Sequence, residues 1–427
     1  MINLEEKNSF FNKARETMDL KKRNEDLEKN FLETFKNAYQ NSKTYREIYQ
    51  AHGLELADIK RLEDIERLPV IHISDIVGRQ KTEPPFGGFE TTVTEGVGRI
   101  YINPGFILQP GPWDFSDTTW AEALSGAGFK GGDRIINTFN YHMWPFAFML
   151  DESAKMIDAT TIPTGVGNTM MQVKIMQRLK VTGFVGTPSF IMTLAQRAES
   201  MGLDLKKDLF LKTAMVSAEM LPESLRAHIE NKLGITVRQA YGTVFLGCIG
   251  YECMHMKGLH VPDNIIVEVV DPHTGKQVKN GGTGEIVATN FNKLYPMLRM
   301  ATGDLSKISN VACSCGRTGP VLEKIFGRID QATKVKGTFI HPWQVDEVVS
   351  RYHDIFKYQL VITRENHRDA MTLLVELNKE VSSPDILCRK IERDLKSFLT
   401  LKGIVKIVSR GTIPDFHKKI EDKRSWD

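Results

Sequence analysis

The sequence predicts an α/β protein: a large N-terminal domain of helix-covered sheets with a small β-subdomain, then a small α+β domain at the C-terminus. Three observations carry this. Strand-like and helix-like segments alternate from about residue 115 to 240. Short strands joined by tight turns replace them over residues 264–309. A new strand–strand–helix–strand pattern begins after about residue 328. At 427 residues the chain also exceeds what one small core holds.

Taken in order, residues 17–52 read as one charged amphipathic helix, because Leu27, Phe31, Phe35, Ala38 and Tyr39 recur at helical spacing. Residues 79–112 are dense in Gly and Pro (TEPPFGGF, INPGFILQPGP) and are expected to be loop. DRIINTFN reads as a buried strand, TMMQVKIMQRLKV as a helix and TGFVGTPSF as a strand ending in a turn. PESLRAHIENKLG is a further helix stopped by Gly234, and ITVRQAYG a further strand. Such alternation argues for a parallel sheet under helices. IIVEVVD, GEIVATN and SKIS, with turns at HTGK and NGGTG, suit a small antiparallel sheet. The last segment offers strands YQLVITR and AMTLLVEL, helix SPDILCRKIERDLKSFL and strand IVKIVS. The expected domains are residues 1–326 and 327–427. No repeat or low-complexity tract interrupts them.

Basic and acidic residues nearly cancel, at 56 and 53, so no broad basic surface and no nucleic-acid partner is expected. The first thirty residues are charged and lack the apolar centre of a signal peptide. No run approaches the ~18 apolar residues of a membrane span. A cytoplasmic protein without a membrane partner is the expectation. Five cysteines fit a reducing compartment, where close pairs more often bind metal than form disulfides.

One unit stands out at the change of character near residue 328: GRIDQATKVKG, Gly327 to Gly337. It joins Tyr241-Gly242, RMATGD (Arg299 to Asp304) and the late HKKIEDKR in an ordered set. That set, with GTPSF, VSAEML, VEVVDPHTG and GTIP, resembles the motifs of the phenylacetate-CoA ligase family of the adenylate-forming superfamily, over nearly the whole chain. The resemblance implies an AMP-binding-like N-terminal domain and a mobile C-terminal lid. It also implies formation of an acyl-adenylate from an acid and ATP, then transfer of the acyl group to coenzyme A. By resemblance Tyr241 stacks on adenine beside Gly242, Ala218 and Glu219, and Asp304 accepts hydrogen bonds from the ribose hydroxyls. Asp330 is the hinge residue with Arg328 beside it. Lys419, with Lys418 as its neighbour and competitor, is the catalytic lysine that neutralises charge during adenylation.

Two departures weaken the ATP half. Where the family carries a phosphate-cradling loop of the form S-S-G-T-T-G-x-P, this chain reads INPGFILQP. Gly105 and Pro110 keep the spacing, but the hydroxyls are gone and Pro104 has no N–H to donate. Where the family places a Mg²⁺-binding glutamate after the Tyr-Gly pair, this chain has Thr243, Val244 and Phe245. A phenyl ring offers a hard cation no ligand. ATP and Mg²⁺ are therefore doubtful cofactors, and a coenzyme A thioester the firmer one.

Cys253 and His260 precede the small-sheet region, and Cys313 and Cys315 follow it. Three cysteines and a histidine make a tetrahedral structural zinc site, with His255 as the alternative fourth ligand. The aromatic stretch NYHMWPFAF, with Phe139 before it, is expected to wall an acyl pocket through Tyr141, Trp144 and Phe146. The first functional reading is an acyl- or aryl-CoA ligase acting on a small, aromatic carboxylic acid. The second is an acyltransferase that passes an acyl group from acyl-CoA to an acyl carrier protein. The third is a non-catalytic acyl-CoA-binding or scaffold protein. The sequence leaves the oligomeric state open, a homodimer included.

Overall fold

The structure, a computed structural model, describes residues 9–91, 96–279, 281–310, 312–329, 333–335, 338–340, 342–365, 368–399, 401–415 and 418–424. They fall into two compact units, Met1–Thr302 with Ser306–Lys324, and Gly303–Leu305 with Ile325–Asp427. No helix among the described residues is long and apolar enough to cross a membrane.

The first unit is built on a nine-stranded sheet. Its parallel half runs in the order Thr160–Pro163, Arg134–Asn137, Gly183–Gly186, Thr213–Val216, Thr236–Thr243. Side chains alternate across a strand, so each strand feeds two cores. Ile136, Phe184, Ala214, Val216 and Val237 pack with the helices Thr169–Arg178, Pro188–Ser200 and Glu223–Leu233. Ile135, Val185, Met215 and Ala240 face the helices Thr119–Gly126 and Phe146–Met156. Gly234 ends its helix in the left-handed conformation at φ 70°, as its residue type predicts. The sheet continues antiparallel through Gly247–Tyr251, Leu259–His260, Val321–Leu322 and Ile308–Ser309. The small β-subdomain pairs Ile265–Val270 antiparallel with Gly284–Asn290.

Two expectations are corrected. Residues 17–52 are not one helix: Leu20–Asn41 stops at Ser42, which caps a second helix, Lys43–Ala51. Buried Ser42 accepts from the Tyr45 N–H and donates to Gly88 O at 2.7 Å, so a tertiary contact fixes the break. Residues 79–112 are not all loop. The helix Ile73–Thr82 runs into them, and Val97–Asn103 pairs with Ile107–Pro112 as an antiparallel hairpin. Gly105 at φ 83° and Phe106 at φ 60° reverse the chain there.

In the second unit a sheet runs in the order Ile404–Val408, Arg368–Leu377, Ile355–Glu365, Ile420–Asp422. Leu360, Ile362, Leu373 and Val375 are covered by Ile391 and Leu395 of the helix Pro384–Leu399 and by Val345 and Val348 of the helix Pro342–Val349. Gly327–Arg328 pairs with Asp304–Leu305 in the same unit.

Candidate functional site

The strand Thr236–Thr243 ends in a tight turn and returns as Gly247–Tyr251, with Tyr241 opposite Gly250. Gly242 is glycine because a Cβ there would stand 2.2 Å from Gly247 O and 2.8 Å from the Trp120 ring. Three side chains hold the turn by its backbone. Gln109 Nε2 donates to Val244 O at 2.7 Å and Asn290 Nδ2 to Phe245 O at 2.7 Å, while Thr119 Oγ1 accepts from the Cys248 N–H at 3.0 Å. Asn103, at the tip of the hairpin, donates to Gln109 Oε1 at 3.0 Å and fixes its orientation. Phe245 is 7% exposed, its ring centre 6.5 Å from that of Tyr295. The position the resemblance assigns to a Mg²⁺ ligand therefore holds a buried ring. Sequence reasoning missed Gln109 and Asn290, whose targets lie 135 and 45 residues away.

Ala218 sits at φ 68°, a left-handed conformation that costs a non-glycine residue on the order of 1–2 kcal/mol. It projects Glu219 onto the first turn of the helix Pro188–Ser200, where its carboxylate accepts from Ser189 Oγ at 2.8 Å and the Ser189 N–H at 3.1 Å. A carboxylate complements that helix end. Arg299, in RMATGD, is fully buried and bidentate to Glu268, both contacts at 3.0 Å. It also donates to Leu68 O and Gly275 O. The first residue of that motif thus joins backbone segments rather than facing a ligand.

Asp304, Arg328 and Lys419 belong to the second unit. The Arg328 guanidinium lies 3.5 Å from the Asp304 carboxylate. Lys419 Nζ contacts both oxygens of Asp346, at 2.7 and 2.8 Å, and the Tyr358 hydroxyl donates to the same carboxylate. Lys418 stays exposed. Asp330 lies outside the described residues.

A cavity of about 290 Å³ opens in the first unit between the hairpin, the 243–247 turn and residues 290–294. Phe148 and Met149 line it, whereas the expected wall residues Tyr141, Trp144 and Phe146 do not. Tyr141 donates to Asp151 Oδ1 at 2.8 Å and meets Phe148 edge-on. Phe146 packs on Phe139 and Trp120, and Trp144 is exposed.

Cys253, His260, Cys313 and Cys315 are all buried, with their donor atoms within 4.8 Å of one another. Cys253 Sγ and Cys313 Sγ are 3.8 Å apart, and Cys315 Sγ and His260 Nε2 3.5 Å. A tetrahedral zinc with ordinary Zn–S and Zn–N bonds gives edges of about 3.8 Å for S···S and about 3.5 Å for S···N. The His255 and Arg317 N–H groups donate to Cys253 Sγ and Cys315 Sγ, at 3.4 and 3.5 Å. The His255 ring instead meets Ser314 Oγ at 3.0 Å, so the fourth donor of the cluster is His260. Hydrogen bonding from Cys253, then from His260, pushes the Cys315 thiol down, while its partner Cys253 is pushed up. Behind the cluster, Arg317 Nε bonds buried Glu16 at 2.8 Å and the Tyr251 hydroxyl at 2.9 Å.

Residues 121–292 match the family model described as AMP-binding enzyme, and residues 337–424 match AMP-binding enzyme C-terminal domain. The chain is 27% identical to a phenylacetate-coenzyme A ligase of Aromatoleum evansii, over 91% of this chain and 92% of that protein. It is 29% identical to the phenylacetate-coenzyme A ligase of Thermus thermophilus, over 80% and 78%. The chain belongs to the phenylacetate-CoA ligase-like family of adenylate-forming enzymes. The fold matches an open conformation of 2-hydroxyisobutyryl-CoA ligase solved with 2-HIB-AMP and CoA. The TM-score is 0.82 at 24% identity, covering 96% of this chain and 93% of that one. The resemblance read from the sequence puts the hairpin and Phe245 where polar residues are expected, and the structure has a buried ring at 245.

Proposed function

We propose that the protein is an acyl- or aryl-CoA ligase, joining a small carboxylic acid to coenzyme A through an acyl-adenylate. The observation that carries this is the similarity to named CoA ligases along about nine-tenths of the chain, spanning both AMP-binding segments. Tyr241 and Gly242 would meet the nucleotide base, Asp304 the ribose, and Lys419 the reacting carboxylate and phosphate once released from Asp346. Asp330, with Arg328, would be the pivot for the lid. The adenylation half is the part these residues serve least: Phe245 brings no oxygen to Mg²⁺, and Gln109 and Asn290 each commit an amide N–H to a backbone carbonyl. The acyltransferase and scaffold readings find no support among the relatives. The test incubates the full chain with ATP, Mg²⁺, coenzyme A and a panel of aryl and alkyl acids, with thioester detected by mass spectrometry. An acid- and ATP-dependent thioester is expected. A broad panel yielding none, from folded protein that also fails to bind AMP or coenzyme A, would overturn the reading.

Cys253, His260, Cys313 and Cys315 would hold a zinc ion. Three thiolates and an imidazole fill a closed tetrahedron, which leaves no position for substrate, so its role is to stabilise the fold.

A further inference from the structure

The cavity beside the 243–247 turn is not absorbed by this function. Its deepest charge is Asp117. Oδ1 accepts the Thr119 N–H at 2.9 Å, and Oδ2 lies where a Cβ on Gly247 would stand, 2.5 Å away. Gly247, at φ 82°, is what lets a carboxylate rest on the turn. Among the described residues no cation pairs with Asp117, and burial pushes its carboxyl up against the opposing hydrogen bonds of Thr119. Arg99 lines the same cavity from the exposed strand of the hairpin. Its guanidinium stacks 5.0 Å from the Phe148 ring centre and has no carboxylate partner among the described residues. Of the other charged residues lining it, Glu152 is committed to Lys155 at 3.0 Å, and Asp114 and Lys293 are exposed at its rim. Tyr101, Trp113 and Phe245 complete apolar walls between these groups.

A half-buried carboxylate without a counter-ion is costly, and a desolvated ammonium is the group that removes the cost. A stacked guanidinium keeps its fork of N–H donors for a carboxylate. We propose that this cavity binds a small aromatic zwitterion, its ammonium on Asp117, its carboxylate on Arg99 and its ring against Tyr101 and Phe148. A simple acid would leave Asp117 unpaired, and a simple amine would sit under the unneutralised field of Arg99. The site requires neither ATP nor coenzyme A, so it is testable without assuming the ligase reading.

The experiment is isothermal titration calorimetry on the full chain without nucleotide. The probes are L-phenylalanine and 4-(aminomethyl)benzoate, with 4-methylbenzoate and benzylamine as singly charged controls. At least one zwitterion should bind saturably, with each control weaker by about tenfold or more, one lost charge-assisted contact of about 1.4 kcal/mol. Asp117→Asn should weaken the zwitterion and benzylamine by about tenfold and leave 4-methylbenzoate unchanged. Arg99→Gln, a change on an exposed strand position, should weaken the zwitterion and 4-methylbenzoate but not benzylamine. The Arg99 variant keeps the test valid should Asp117→Asn fail to fold. No saturable zwitterion binding, or zwitterions no tighter than 4-methylbenzoate, would overturn the proposal.

Discussion

Around Cys253, His260, Cys313 and Cys315 the side chains converge on one another, with four donor atoms inside 4.8 Å. Around Val244 and Phe245 the side chains of Gln109 and Asn290 converge on main-chain carbonyls instead. Both regions belong to the first unit. Four metal-type donor atoms packed this closely form a set that a single ion could bridge. Here each amide gives one N–H to a main-chain carbonyl and so fixes the turn rather than a ligand site of its own. A polar residue near a motif is therefore functional or structural according to what it faces.

The comparison can be broken first at the cluster. Cys315→Ser should release the metal, from about one zinc per chain to none, and destabilise the protein by more than about 4 kcal/mol, the range of metal loss. Elemental analysis and urea unfolding measure both. Zinc-free protein purified without chelator, equally stable, would remove the contrast. Limited proteolysis should also show new cleavage near residues 9–16, since Arg317 ties Glu16 and Ser9 O to the same loop.

Next in size is Phe245→Glu, which restores the family's carboxylate but removes a buried ring. A cost of about 3–4 kcal/mol is expected from lost packing, measured by chemical unfolding. Mg²⁺·ATP should raise the variant's melting temperature more than that of the parent. Equal shifts for the two would mean that position 245 does not face a bound Mg²⁺.

Gln109→Ala should cost about 1–3 kcal/mol, because Val244 O loses its donor. An alanine variant as stable as the parent would show that the turn is held by packing alone.

The smallest effect lies behind the cluster. Burial, then the Asp263 carboxylate, pushes the Glu122 carboxyl well above its ordinary 4.5. A proton held in the folded state and released on unfolding makes stability fall as pH rises from about 4.5 towards the folded pKa. The slope is at most about 1.4 kcal/mol per pH unit. Glu122→Gln should flatten the fall by up to about 1.4 kcal/mol over the unit from about pH 6 to pH 7, in unfolding curves taken with zinc retained. Identical pH profiles would place the Glu122 proton elsewhere in the network.

Much of this was legible in the residues. Alternation at Ile135-Ile136 and Phe184-Val185, and Gly234 after its helix, act over a few residues, and the fold follows them. The Cys-x-Cys pair pointed to the cluster because two of its ligands share one turn. The hairpin was hidden by its composition, since Pro104 and Gly105 read as loop although Gly105 and Phe106 only supply its turn. The helix Pro342–Val349 was overlooked, although Val345, Val348 and Val349 stand at helical spacing.

By itself the sequence determined most of the strands and helices in order, the family motifs and the three cysteines of the cluster, because backbone hydrogen bonding and side-chain periodicity are short-range. Tertiary structure alone decided that His260 rather than His255 completes the cluster and that Arg299 is buried against Glu268. It also decided that Asp117 and Arg99 line one cavity. Those outcomes depend on which faces meet across tens to hundreds of residues. There the cost of burying an unpaired charge or donor selects the partner, and no local pattern records it.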